Sequence, residues 1–217
     1  MVGMLTDRGR ASRERIVAAA ATLFHERGVH ATSVDEVLAA SGAGKSQFYH
    51  YFPSKSALVR AVLDYQLERL EAVQAPLFER LDSWDGIADW LNFVVGWHRS
   101  RDLLGGCPIG SLAAEMADWD EDLRRALAEA FARWESFLAR GLQAMRDQGR
   151  LSADADPAIL AETTMAMTQG GILLATTKKD IRTLEATLAA VLAYLRSFDA
   201  ARGRRPVRSA PRRRSTR

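Results

Sequence analysis

The segment SVDEVLAASGAGKSQFYHYFPSK, residues 33 to 55, restricts the fold more than any other part of the chain. Ser33 followed by Glu36 has the spacing of a capping box, in which each side chain bonds the other residue's backbone amide, so a helix starts there and runs to about Ser41. "SGAG" is a turn, since glycine adopts the backbone angles a reversal needs. A second helix carries Lys45 to Tyr51, and Pro53 prevents it from continuing. Val34, Val37 and Leu38 then face Phe48 and, from the preceding helix, Leu23 and Phe24, forming a miniature core. Lys45, Ser46, Gln47, Tyr49 and His50 are left for the solvent side. A polar, aromatic-rich helix of seven residues is a poor structural element unless that outer face is used.

"GAGKS" within this segment also looks like the end of a phosphate-binding loop. Such a loop needs G-x-x-x-x-G-K-[ST] after a strand, so that backbone amides can wrap the phosphates. Five residues before Gly44 stands Ala39, and the preceding SVDEVLAAS is a capped helix. Both requirements fail, and the nucleotide-hydrolase reading fails with them. Two short helices joined by a glycine turn are instead a helix-turn-helix, whose second helix enters the major groove of DNA. Gln47 can pair with an adenine edge, and Lys45, Tyr49 and His50 can hold phosphate oxygens.

The rest of the chain shows 3.6-residue periodicity broken by glycine and proline, without strand-like alternation. A first helix spans Ser12 to Arg27 and ends at Gly28; a long one runs from Ser54 to the region of Pro76. Further helices are expected at 84–101, 107–118, 120–148, 156–178 and 180–200, the fourth opening on Asp156-Pro157 as N-cap and first helical residue. The fold class is all-α, with about nine helices.

Hydrophobic residues make up 47% of the 217, enough for a substantial core. MVGMLTDRGR does not read as a signal peptide, so none is expected, and the longest uncharged stretch, Thr163 to Thr177, is too short and too polar to span a bilayer. The single cysteine, Cys107, excludes an intrachain disulfide and fits a reducing compartment, so a cytoplasmic protein with no membrane partner is expected. The net charge of +3 hides an asymmetry: residues 202–217 hold eight arginines and no acid, and everything before them sums to −5. That tail is expected to be disordered and able to add phosphate contacts.

SRERIVAAAATLFHERGVHATSVDEVLAASGAGKSQFYHYFPSKSALVRAVL resembles the N-terminal domain of the TetR family of bacterial transcriptional regulators, above all in FYHYFPSKSAL. The resemblance covers about residues 12 to 63. It implies that Ser33 caps the second helix against a phosphate, that Lys45, Ser46, Gln47, Tyr49 and His50 meet DNA, and that Lys55 lies on its backbone. Gly44 departs from the serine or threonine usual there, so the recognition helix lacks a side-chain cap. Gln47 stands where a small threonine is common, so the operator is this chain's own.

Beyond residue 63 the chain is read by itself. Ile181, Leu184, Leu188, Val191, Leu195 and Phe198 recur at three- and four-residue steps, and MTQGGILLA offers small residues for close helix approach. This pair is read as a dimerisation surface, the alternative being a buried core pair. A homodimer would set two recognition helices about 34 Å apart on a palindrome of double-stranded DNA. A second set of large residues suggests a cavity for a small hydrophobic or aromatic effector: Trp90, Phe93, Trp97, Met116, Trp134 and Met165, with His98 and Gln169 as polar hooks. "GGCPIGSLAAEM" is similar to a segment in a subset of the family, and Cys107 before Pro108 sits near a helix start, whose dipole lowers a thiol pKa. An electrophile- or oxidant-sensing thiol is one reading of it; a small buried residue is the other. Histidines 25, 30, 50 and 98 lack metal-ligand spacing, and no catalytic constellation or cofactor motif is present, so neither an enzyme nor a metal protein is expected.

These features together describe a DNA-binding region over 1–54, a ligand-binding and dimerisation region over 55–201 and an arginine-rich tail over 202–217. The function they point to is ligand-released repression. The alternatives are sequence-indifferent DNA binding driven by the tail, and thiol sensing through Cys107.

Overall fold

The computed structural model describes residues 6–203, and they are almost entirely helical. In chain order the helices are α1 (Asp7–Arg27), α2 (Val34–Ser41), α3 (Lys45–Tyr51), α4 (Lys55–Phe78), α5 (Trp84–Arg99), α6 (Pro108–Met116), α7 (Glu121–Asp147), α8 (Pro157–Lys178), α9 (Ile181–Ser197) and the single turn α10 (Ala200–Gly203). One isolated bridge, Leu151 to Asp199, is the extended pairing among the described residues. The expected elements are all present, with three differences. α1 starts at Asp7 rather than Ser12, because Thr6 accepts the Gly9 amide at 3.2 Å and caps it. α4 continues two residues past Pro76, and α10 adds a turn near the expected end of the last helix. The tail beyond residue 203 lies outside the described residues.

α1 packs on α2 and α4, and α4 reaches on to α5, α6 and α7. The long helices α7, α8 and α9 stack side by side, with α5 against α9. Phe78 of α4 stacks on Phe137 of α7, centroids 4.2 Å apart, and the Glu71 carboxylate accepts from Arg133 across the same interface. Arg99 ties α5 to Glu185 of α9 in the same way.

The apolar stripe of α9 is a correction to the sequence reading. Leu184, Leu188, Val191 and Leu195 are buried within the chain, so they are core and cannot face a second copy. Periodicity shows that a helix buries one side; it does not say against what. The residues left outside are different ones: Ile159, Leu173 and Leu174 on α8, with Ala166 and Gly170 between them, and Ala186, Ala190 and Ala193 on α9.

Candidate DNA interface and effector cavity

α2 and α3 are held by local chemistry. Ser33 Oγ accepts the Glu36 amide at 3.2 Å, and the Glu36 carboxylate accepts the Ser33 amide at 2.7 Å, closing the capping box. Gly42 ends α2 in the left-handed region at φ 65°, where a side chain would be strained. Gly44 begins α3 with no side-chain cap, as its residue type requires. Phe48 and Phe52 are buried with their rings tilted against each other, centroids 5.6 Å apart, while the Arg13 guanidinium of α1 lies 5.3 Å from the Phe52 ring. These anchors turn the opposite side of α3 outward: Lys45, Ser46, Gln47, Tyr49 and His50 are all exposed, Tyr49 by 51%. Lys45 Nζ lies 3.8 Å from Asp35, an exposed pair of small energetic worth. Ser33 is exposed beside them. Lys55 is more occupied than expected, since its ammonium donates to Val29 O at 2.5 Å. It thereby fastens the start of α4 to the turn between α1 and α2.

That turn is held from a second side. Gly28 ends α1 at φ 86°, leaving the next two amides without helical acceptors. The Glu115 carboxylate of α6 accepts both, Val29 N at 2.7 Å and His30 N at 2.5 Å. A Cβ on Gly28 would stand 3.0 Å from Glu115 Oε2, so glycine provides both the angle and the room. Beyond Glu115, the exposed Trp119 ring packs on His30 with centroids 4.7 Å apart.

The other end of α6 borders a cavity of about 370 Å³. Its wall takes Phe93, Trp97 and His98 from α5, Arg101 from the turn that follows it, Cys107 and Pro108 from the start of α6, and Trp134 from α7. Trp90, Met116, Met165 and Gln169 stand elsewhere: Trp90 is buried behind the wall with its Nε1 donating to Gln74 Oε1 at 2.7 Å, and Gln169 reaches the Cys107 thiol and Met165. Sequence reasoning missed two sides of the cavity, Thr22, His25 and Glu26 of α1 and Tyr65, Arg69 and Gln74 of α4. The available signal was Tyr65 and Arg69, an aromatic and a cation one turn apart on α4. The Arg69 guanidinium lies 5.4 Å from the Tyr65 ring and donates to its hydroxyl, and Arg101 covers the Trp97 ring at 4.8 Å.

Burial sets the electrostatics of the wall. It lowers the pKa of His25, with Arg101 adding to the effect and Glu26 opposing it. It also lowers that of His98, where the bond to Val94 O opposes and Arg101 again adds. At Cys107 the sequence expectation is reversed. The thiol does cap α6, its Sγ accepting the Gly110 amide at 3.4 Å, and this favours the thiolate. Yet burial pushes its pKa up, and outweighs the amides of Gly110 and Ile109 and the Gln169 side chain.

A capped helix, a glycine turn and a short helix with an exposed polar face define a class, the helix-turn-helix DNA-binding transcriptional regulators. Residues 16–62 match the family described as "Bacterial regulatory proteins, tetR family", and residues 85–191 match "Tetracyclin repressor-like, C-terminal domain". The chain is 30% identical to an HTH-type transcriptional regulator in the lacX 3' region of Lactococcus lactis subsp. lactis, over 81% of this chain and 89% of that one. It is 32% identical to the HTH-type transcriptional regulator LmrA of Bacillus subtilis (strain 168), over 78% and 88%. The crystal structure of Escherichia coli NemR in its reduced form superposes with a TM-score of 0.73 at 27% identity, over 83% of this chain and 95% of that one. The chain belongs to the TetR family of transcriptional regulators. Among the described residues no helix is long and apolar enough to cross a membrane.

Proposed function

We propose that this regulator is a cytoplasmic, homodimeric repressor that leaves a palindromic operator when a small aromatic effector fills the cavity. The observation that carries the reading is the shared wall: α1, from the reading head, lines the cavity together with α4 and α5 of the body. An effector that fits best when α1 is displaced shifts the population toward heads spaced wrongly for the operator. Residues 1–54 serve as the DNA-binding region and 55–201 as the effector and dimerisation region. Ser33, Gly44, Lys45, Ser46, Gln47, Tyr49, His50 and Lys55 form the DNA contact, with Gln47 reading a base edge and Lys45 holding a phosphate. The dimer forms through the outward faces of α8 and α9, where Gly170 and the alanines allow close approach and Leu173 and Leu174 supply apolar area.

Selection of DNA from a random pool by the full chain, at about 150 mM salt where unspecific phosphate binding is weakened, tests this. An enriched palindrome is expected, with Gln47→Ala relaxing the preference at one position and Lys45→Ala weakening all sequences alike. Recovery of DNA with no shared sequence rejects it in favour of tail-driven binding, which truncation after Ala201 would then abolish. A second reading keeps the thiol: Cys107 is part of the cavity wall, so a reagent small enough to enter reaches it. On that reading Cys107→Ser abolishes maleimide-induced release from the operator.

A further inference from the structure

The wall of the cavity is chemically unfinished. Three of its side chains hold a buried nitrogen that no atom of the described residues partners: His25 Nδ1, His98 Nε2 and Trp134 Nε1. His98 and Trp134 are more than nine-tenths buried, at 7% and 5% exposure. Folded proteins pair nearly all such atoms, because an unpaired one has lost its water and gained nothing. Of the seven such atoms among the described residues, the three nitrogens all belong to this one wall, where a partner arriving from outside can reach them.

The chemistry of that partner follows from what the two deeper nitrogens can do. His98 Nδ1 lies 2.9 Å from Val94 O, which can only accept, so Nδ1 carries the hydrogen. Burial and Arg101 hold the ring neutral near pH 7, which leaves Nε2 a bare lone pair and an acceptor. Trp134 Nε1 is the opposite, a donor with nothing to accept. A hydroxyl carries both complements, a hydrogen for His98 and a lone pair for Trp134. A carboxylate would set its lone pairs against that of His98. An ammonium would leave Trp134 unpaired and meet the Arg69 and Arg101 cations, which stand in the same wall. A hydrocarbon would leave both nitrogens unpaired. Phe93, Val94 and Trp97 supply the apolar surface for a ring system, and about 370 Å³ is within the range of small-molecule sites.

We propose that the effector is an uncharged, hydroxyl-bearing aromatic molecule, whose hydroxyl donates to His98 Nε2 and accepts from Trp134 Nε1. This rests on the cavity being the effector site. Calorimetric titration of the full chain near neutral pH with four matched probes tests it: 2-naphthol, 2-methoxynaphthalene, naphthalene and 2-naphthoate. 2-Naphthol is expected to bind at least about tenfold tighter than each of the others. The methoxy compound can accept but not donate, so it isolates the His98 bond. His98→Phe and Trp134→Phe should each bring the affinity for the naphthol down to that for naphthalene in the same variant, since each deletes one hydrogen bond and keeps an apolar ring. The four probes on the unaltered chain decide the matter even where a variant fails to fold. Equal binding of naphthol, methoxynaphthalene and naphthalene overturns the hydroxyl assignment and leaves the effector cavity standing, with water satisfying the nitrogens. Tightest binding of the naphthoate overturns it in favour of an anion held by the arginines. Binding of none of the four overturns both the assignment and the cavity's role.

Discussion

At Cys107 two physical effects oppose each other, and which one wins decides how the residue behaves. The Gly110 amide on its sulfur favours the thiolate, as at any helix start, but the surroundings that hide the thiol from water favour the neutral form more strongly. With the pKa raised, the thiolate fraction near neutral pH falls below that of a free cysteine and grows only as pH rises past the ordinary thiol range. Iodoacetamide labelling followed by mass spectrometry is therefore expected to proceed at least about tenfold slower than labelling of free cysteine at pH 7, and to accelerate steeply under alkaline conditions. Labelling at the rate of free cysteine would contradict the burial. The position of this residue at a helix start was legible, because Cys107-Pro108 is a local signal. Its burial was not, because Gln169 and Ile172, which meet the same segment, come from α8 more than sixty residues on.

α6 is an element with two addresses. Its start borders the cavity at Cys107 and Pro108, and Glu115, about 12 Å further along the helix, holds the amides of Val29 and His30. Charge-assisted bonds of this kind are stronger than neutral ones. Glu115→Ala is expected to cost about 2 kcal/mol, a fall of roughly 5 °C in melting temperature for a chain of this size. Amide hydrogen exchange at Val29 and His30 should accelerate in the same variant, and unchanged exchange at both would remove the clamp from the account. Nothing in the sequence pointed to this contact, since Glu115 stands 85 and 86 residues from the amides it holds. The contrast with α2 and α3 is instructive. Ser33, Glu36, Gly42 and Pro53 specify their elements through neighbours at most five residues away, and those elements were read correctly. The α9 stripe was read as a surface because Leu184, Leu188 and Val191 carry the same periodicity whether a neighbour in the same chain or in another covers them.

For the whole molecule, the proposed dimer gives the outward faces of α8 and α9 a purpose. Leu173 is 66% exposed, so a charge there leaves the core of one chain intact. Leu173→Glu is expected to convert the dimer to a monomer in light scattering, with the melting temperature of the chain's own core little changed, and to weaken operator binding by at least about a hundredfold by separating the two heads. A dimeric variant with full affinity would move the interface elsewhere.

The cavity wall also bears on how such molecules can be recombined. A boundary drawn at residue 54 looks like a clean seam between a reader and a sensor, and invites exchange of one reader for another. Here Thr22, His25 and Glu26 travel with the reader and yet form part of the sensor's wall. Transplanting residues 1–54 from a relative would therefore rewrite which molecule is sensed along with which DNA is read, and a graft that keeps the native response must carry the inner side of α1 with it.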